Sequence, residues 1–200
     1  MTHQFADIAF TPAVRAEQER MGSRAAYARA EGGLKHHDRL GEREAAFIAT
    51  RDSANMATVG ETGWPYIQHR GGPPGFVKVL DGATLGFADF RGNRQYVSVG
   101  NLTGNDRVAL FCMDYPHQAR LKLLGRARTV EREEDAELMA RLATPGYRAT
   151  AERAIIITIE AFDWNCSQHI APRFTTDEIT AAVAPLHNRI RELEEQLRAT

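Results

Sequence analysis

The sequence predicts a mainly β domain with flanking helices, an antiparallel barrel or sandwich, and three observations lead there. Between Ala54 and Phe162, short runs rich in β-branched and aromatic residues alternate with turn residues. Two of these runs flank a basic loop of three glycines and two prolines, Tyr66 to Lys78. Beyond Thr175 the apolar period changes to that of an amphipathic helix carrying a heptad stripe. The expected organisation is a helical N-terminal extension over 1–40, a barrel domain over 41–174 and a C-terminal amphipathic helix over 175–200.

Bulk properties narrow the function classes. A chain of 200 residues can bury a sizeable core as one domain with appendages. A net charge of −1, from 25 basic and 26 acidic residues, argues against a protein that coats nucleic acid. Cys112 and Cys166 form no C-x-x-C pair, so neither a zinc knuckle nor a disulfide scaffold is indicated, and no metal site is expected. A reduced, cytoplasmic setting is the expectation. No basic-then-apolar leader is evident, and no apolar run approaches the ~20 residues of a membrane helix.

The segment up to Asp38 is polar and reads as one or two short helices. Thr11 before Pro12 marks one start, Val14 and Met21 make a thin apolar stripe, and Gly32, Gly33 and His36-His37 read as exposed linker. Gly41 to Arg51 reads as a helix. Ala54 to Val59 and Trp64 to Arg70 then form a hairpin, whose second strand delivers Gln68, His69 and Arg70 to the basic loop. Phe76 to Leu80 and Thr84 to Ala88 are the third and fourth strands, joined at Asp81-Gly82. A helix from Arg94 to Leu102 would place Arg91, Asn93 and Arg94 at a helix N-terminus, where free N–H groups favour an anion.

Arg107 to Met113 reads as a central strand. Ala119 to Thr129 alternates Arg120, Lys122, Arg126 and Arg128 with apolar residues, so its cations share one face. Arg126 and Arg128 suit a solvated surface, and Arg120, at the strand's start, is the better site candidate. Glu131 to Leu142 reads as a helix and Ala154 to Phe162 as a buried strand. That strand runs into Trp164, which serves either as a core anchor or as a wall beside an aromatic ligand, with His169 and Arg173 following. The final helix opens at Thr175 or Thr176 with Glu178 in its first turn. Ile179, Val183, Leu186, Ile190, Leu193 and Leu197 form its stripe, directed at a partner helix or at its own barrel, and Pro185 is expected to kink it.

Two cations and an amide on strand ends suit a phosphorylated small molecule such as flavin mononucleotide (FMN). In order and spacing, roughly Glu44 to Arg173 resembles the pyridoxamine 5′-phosphate oxidase-like family of FMN-binding split β-barrels. The resemblance implies that Arg70 and Lys78 contact FMN from successive strands. It carries the phosphate grip to Asn93 and Arg94, puts Arg120 where the family has a glutamine near the flavin, and assigns Trp164 and Arg173 to the flavin of a second subunit. Gln68 joins these as a cofactor contact. The implied protein is an FMN-dependent oxidoreductase acting as a homodimer on a small molecule, with His169 as the candidate proton shuttle. Gln168 to Arg173 departs from the family's Arg-x-His substrate element, so the substrate does not carry over. A non-catalytic FMN carrier or sensor remains an alternative, as does a relative holding a deazaflavin or haem. Haem would need His69, His117 or His169 as an axial ligand, and none stands in a recognisable motif.

Overall fold

The fold was obtained as a computed structural model, which describes residues 3–29, 31, 38–164 and 167–199. The expected Gly32–His37 linker and the Asn165-Cys166 pair lie outside the described residues. The chain divides into two compact units, one of residues 1–113 and 120–166, the other of residues 114–119 and 167–200.

The first unit is organised by a seven-stranded sheet in the order β2-β1-β5-β6-β7-β4-β3. Its strands are β1 (Ser53–Val59), β2 (Pro65–Gly71), β3 (Lys78–Asp81), β4 (Thr84–Phe90), β5 (Arg107–Asp114), β6 (Ala119–Glu131) and β7 (Ala151–Trp164). β1 pairs antiparallel with both β2 and β5, and β7 with both β4 and β6. The sheet is not closed, and β2 and β3 are its two edges.

Burial explains why β7 lies inside the sheet. Ile155, Ile157 and Ile159 are fully buried, and their branched side chains pack on Leu85, Phe87, Leu121, Leu123 and Met56. β6 and β7 are longer than their apolar runs because their polar ends keep the ladder going, Glu131 opposite Arg153. A register shift between Leu124 and Gly125 bends this pair. A Cβ on Gly125 would come within 2.4 Å of the Thr158 carbonyl, so only glycine fits there.

Helices flank the sheet. α1 (His3–Ala9), α2 (Pro12–Arg20) and α3 (Arg24–Ala28) precede it. Thr11 caps α2 by accepting from the Val14 N–H, but Val14 and Met21 are exposed and form no packed stripe. The apolar anchor of this segment is α1, where Phe5 and Ala6 are buried. α4 (Glu42–Ala49) begins with Glu44 Oε2 accepting from the Gly41 N–H at 3.0 Å. α6 (Ala136–Leu142) starts five residues later than its sequence pattern reads, because Glu131 stays in β6 and Asp135 provides the cap to Leu138. It closes a small second cluster of Val130, Leu138, Leu142, Ala154 and Ile156.

α5 (Val97–Gly104) also begins later than expected. Arg94 and Tyr96 take left-handed backbone at φ 60° and 55°, which no helix interior allows. Arg91, Asn93 and Arg94 therefore sit in the loop that leads into the helix rather than on its first turn. Asn93 Oδ1 accepts from the Gln95 N–H and turns this loop instead of capping the helix.

The second unit carries α7 (Thr176–Arg198), opened by a capping box between Thr175 and Glu178. The helix continues through Pro185, so it does not begin anew there. Within the same unit Gln118 Nε2 donates to the Ile170 carbonyl at 2.6 Å. Among the described residues, no helix is long and apolar enough to cross a membrane.

Candidate functional site

β2 stands at one edge of the sheet and β4 next to the other, yet they meet. Arg70 on β2 places Nη1 2.6 Å from Asp89 Oδ1 on β4. The sheet therefore curls until its two ends face each other, and the Arg70–Asp89 ion pair bridges the split. A cleft of about 420 Å³ opens along this split, within the ~300–1,000 Å³ range of small-molecule sites.

Four stretches supply most of its walls, one of them Tyr147, Ala149 and Glu152 around the start of β7. The end of β2 contributes Tyr66, Gln68, His69 and Arg70; the end of β4 contributes Phe87 and Asp89; and the β4–α5 loop contributes Arg91, Asn93, Arg94, Gln95 and Tyr96. Alternation along β2 turns Tyr66, Gln68 and Arg70 to one side, the tyrosine hydroxyl donating to Gln68 Oε1. The Gly-Pro loop fixes the end of this strand. Gly75 has φ +78°, and a Cβ there would lie 2.9 Å from the Ala49 carbonyl, so the tight approach of loop to α4 requires glycine. The loop then buries Phe76, whose ring meets Phe87 edge-on at 6.2 Å.

The electrostatics of the cleft combine three guanidinium groups with two carboxylates. Asp89 is buried beneath Arg70, with Arg153 Nε 3.8 Å away on its other side. Burial pushes the Asp89 carboxyl above the usual carboxylate range, against the opposing pull of Arg70 and Arg153. Glu152, at the start of β7, accepts from Arg91 Nε at 2.9 Å and from the Tyr96 hydroxyl at 3.1 Å. These contacts, Arg91 first, hold its carboxyl below the usual range. Arg94 Nε in turn donates to the Tyr96 hydroxyl at 2.9 Å. Of the buried polar atoms without a hydrogen-bond partner among the described residues, Arg70 Nε and Ser98 Oγ, in the first turn of α5, belong to residues that line the cleft. At the wall of a cleft such donors are open to an acceptor on a bound ligand.

The cleft thus brings together Gln68, Arg70, Asn93 and Arg94 among the residues expected to hold a cofactor. The others lie elsewhere. Lys78 starts β3, half-buried, with its Nζ close to Gly75. Arg120 starts β6, and its Nε is buried and unpaired among the described residues. Trp164 ends β7 packed on α4, donating from Nε1 to Glu44 at 2.7 Å, with the Phe47 ring edge-on at 4.8 Å and Arg43 over its face. In the second unit, Arg173 stacks over Tyr115 at 4.8 Å, and His169 occupies an exposed turn at φ 63°. Sequence reasoning passed over Asp89, Tyr96, Ser98 and Glu152. Asp89 left one signal, an acid inside the apolar run of β4; the others read as ordinary surface residues. Among the described residues, no group of three or more His, Cys, Asp or Glu side chains is placed to hold a metal ion.

Comparison with known proteins places this geometry in a family. The family model for pyridoxamine 5′-phosphate oxidase matches residues 40–165, most of the chain, and the protein belongs to that family. Among solved structures, HupZ of Group A Streptococcus is similar at 17% identity and a TM-score of 0.51, over 68% of this chain and 99% of that one. A protein of Clostridium acetobutylicum related to general stress protein 26 is 20% identical at a TM-score of 0.46, over 68% of this chain and 94% of its own. An FMN-binding protein from Syntrophomonas wolfei is 13% identical at a TM-score of 0.45, over 77% of this chain and 95% of its own. At 17% identity the likeness to HupZ is one of fold. No curated protein matches the chain.

Proposed function

We propose that this member of the pyridoxamine 5′-phosphate oxidase family binds FMN in the split of its barrel and acts as an FMN-dependent oxidoreductase on a small molecule. One observation carries the reading: Arg70, Arg91 and Arg94 converge on one cleft in which Arg70 Nε and Ser98 Oγ are buried without partners. These donors fit a phosphate. Arg94 and Asn93 in the β4–α5 loop hold it from one side, and the Ser98 hydroxyl and free N–H groups of the first turn of α5 meet it from the other.

When bound, FMN supplies hydride and electron transfer; the protein's part is to bind, orient and shield. Tyr66, Gln68 and Arg70 on β2 offer a flat amphipathic wall with donors for ring carbonyls. Phe87 closes the floor and keeps water from the inner end. In a homodimer, Lys78 and Arg120 serve the flavin of their own subunit, and Trp164 and Arg173 are lent by the second subunit. His169 is the candidate proton shuttle. We place the protein in the cytoplasm, where its buried Cys112 stays a thiol, pushed up to about 12 by burial.

The test is an absorption spectrum of the purified protein, release and mass identification of any chromophore, and titration of the apoprotein with FMN. Flavin bands with FMN released, together with turnover when a reductant and acceptors are supplied, are the expected result. A colourless protein that fails to bind added FMN overturns the reading. A chromophore of another mass replaces FMN by that compound, and bound FMN that no donor reduces replaces the enzyme by a carrier.

A further inference from the structure

The apolar stripe of α7 remains uncovered. Ile179, Leu186, Ile190, Leu193 and Leu197 are 51%, 63%, 53%, 42% and 78% exposed, and no residue of the helix is buried. Five exposed large apolar side chains along one helix face, with half-buried Val183 between them, exceed the scattered apolar residues of an ordinary surface.

We propose that α7 pairs with α7 of a second copy of this chain as a parallel, two-stranded coiled coil. The identity of the seam residues argues for this occupant. Spacings of four, three, four, three and four put Val183, Ile190 and Leu197 at position a, and Ile179, Leu186 and Leu193 at position d. β-branched residues at a with leucine at d is the combination that favours two parallel strands, because each shape fits the knob-into-hole geometry of its own layer. The middle of the stripe, Val183 to Leu193, follows it throughout.

Charge complementarity selects the same arrangement. In a parallel pair, position g of one helix faces position e of the following heptad on its partner. Arg189 is at g and Glu194 at the following e, so two-fold symmetry makes two attractive Arg189–Glu194 pairs, one on each side of the seam. The remaining e and g residues, Thr180, His187, Ala182 and Gln196, set no like-charged pair beside it. An antiparallel pair matches g with g and e with e, which parts Arg189 from Glu194. In the single helix Arg189 holds Glu192 at 2.9 Å, an exposed pair readily exchanged. Pro185 falls at position c, outside the seam, and does not obstruct it. The capping box at Thr175 fixes where the helix starts, so both copies enter the pair in the same register. Three heptads are short for an isolated coiled coil, and the inference rests on the homodimer proposed above, which holds the helices at high effective concentration.

The experiment uses the full-length chain with Leu197→Cys, oxidised mildly, and the linked peptide located by mass. In a parallel pair the two 197 positions face each other across the seam, whereas an antiparallel pair parts them by ~27 Å. A dominant 197–197 disulfide is expected, with little linkage from Glu195→Cys on the outer face. Adding Arg189→Glu to Leu197→Cys should lower the yield severalfold, and adding Glu194→Arg as well should restore it. Equal linkage at 197 and 195, as from a helix lying on its own barrel, overturns the pairing; so does a 197 yield that the charge changes leave unmoved. None of these readouts depends on flavin.

Discussion

Arginines line both the cleft and the outer face of β6, and the partners of Arg70 and Arg94 differ from those of Arg126. On β6, Arg126 donates Nε to Glu160 at 2.6 Å and Nη1 to Asp106 at 2.8 Å, so its charge is spent on carboxylates of neighbouring strands. In the cleft, Arg70 gives Nη1 to Asp89 but keeps a buried Nε without a partner, and Arg94 reaches a phenol rather than a carboxylate. All three side chains carry the same charge. Spare hydrogen-bonding capacity sets Arg70 and Arg94 apart from Arg126, and equally from Arg91 of the same cleft, whose Nε is taken by Glu152.

Removing the deepest cleft arginine should have the largest effect. Arg70→Ala leaves Asp89 buried with Arg153 as its remaining close cation, and we expect a loss of about 3 kcal/mol in chemical denaturation together with loss of FMN binding. An unchanged unfolding midpoint would show that the pair across the split holds nothing together. Arg94→Ala should leave stability alone and weaken FMN binding about 10- to 100-fold by titration. If affinity stays within twofold, the phosphate does not sit in the β4–α5 loop.

A smaller effect separates the buried carboxylate from those on the surface. Because burial raises the Asp89 pKa in the folded state, the native protein binds more protons here than the unfolded chain does. Its contribution to stability is full below the ordinary aspartate value of ~3.9 and is lost as pH rises through the raised folded value. The difference in stability between wild type and Asp89→Asn should therefore fall with rising pH in that window; a flat difference would refute the assignment. The smallest effect belongs to β6. Arg126→Ala should leave both the melting temperature and FMN affinity within error, since exposed ion pairs contribute little, and a clear loss of affinity would erase the contrast between the two regions.

Much of this was legible in the sequence. Strand alternation exposed the two faces of β6, β-branched density located β7, and turn residues spaced the hairpins. The family resemblance rested on the order of Arg70, Lys78, Asn93-Arg94 and Trp164. The position of α5 was less legible, because Asn93 reads as a helix cap and its turn within the loop depends on the left-handed backbone of Arg94 and Tyr96. Trp164 was equally ambiguous, since its anchoring on α4 rests on Glu44, 120 residues earlier.

By itself, then, the sequence determined which segments are strands and helices, the heptad register of α7 and the family, because these follow from local periodicity and from the order of motifs. Only the tertiary structure decided which cations are free to bind. Arg70 finds Asp89 from 19 residues away and Arg91 finds Glu152 from 61. Both meetings depend on the curl of the sheet and the register between β4 and β7, and neither is written in the spacing of residues along the chain.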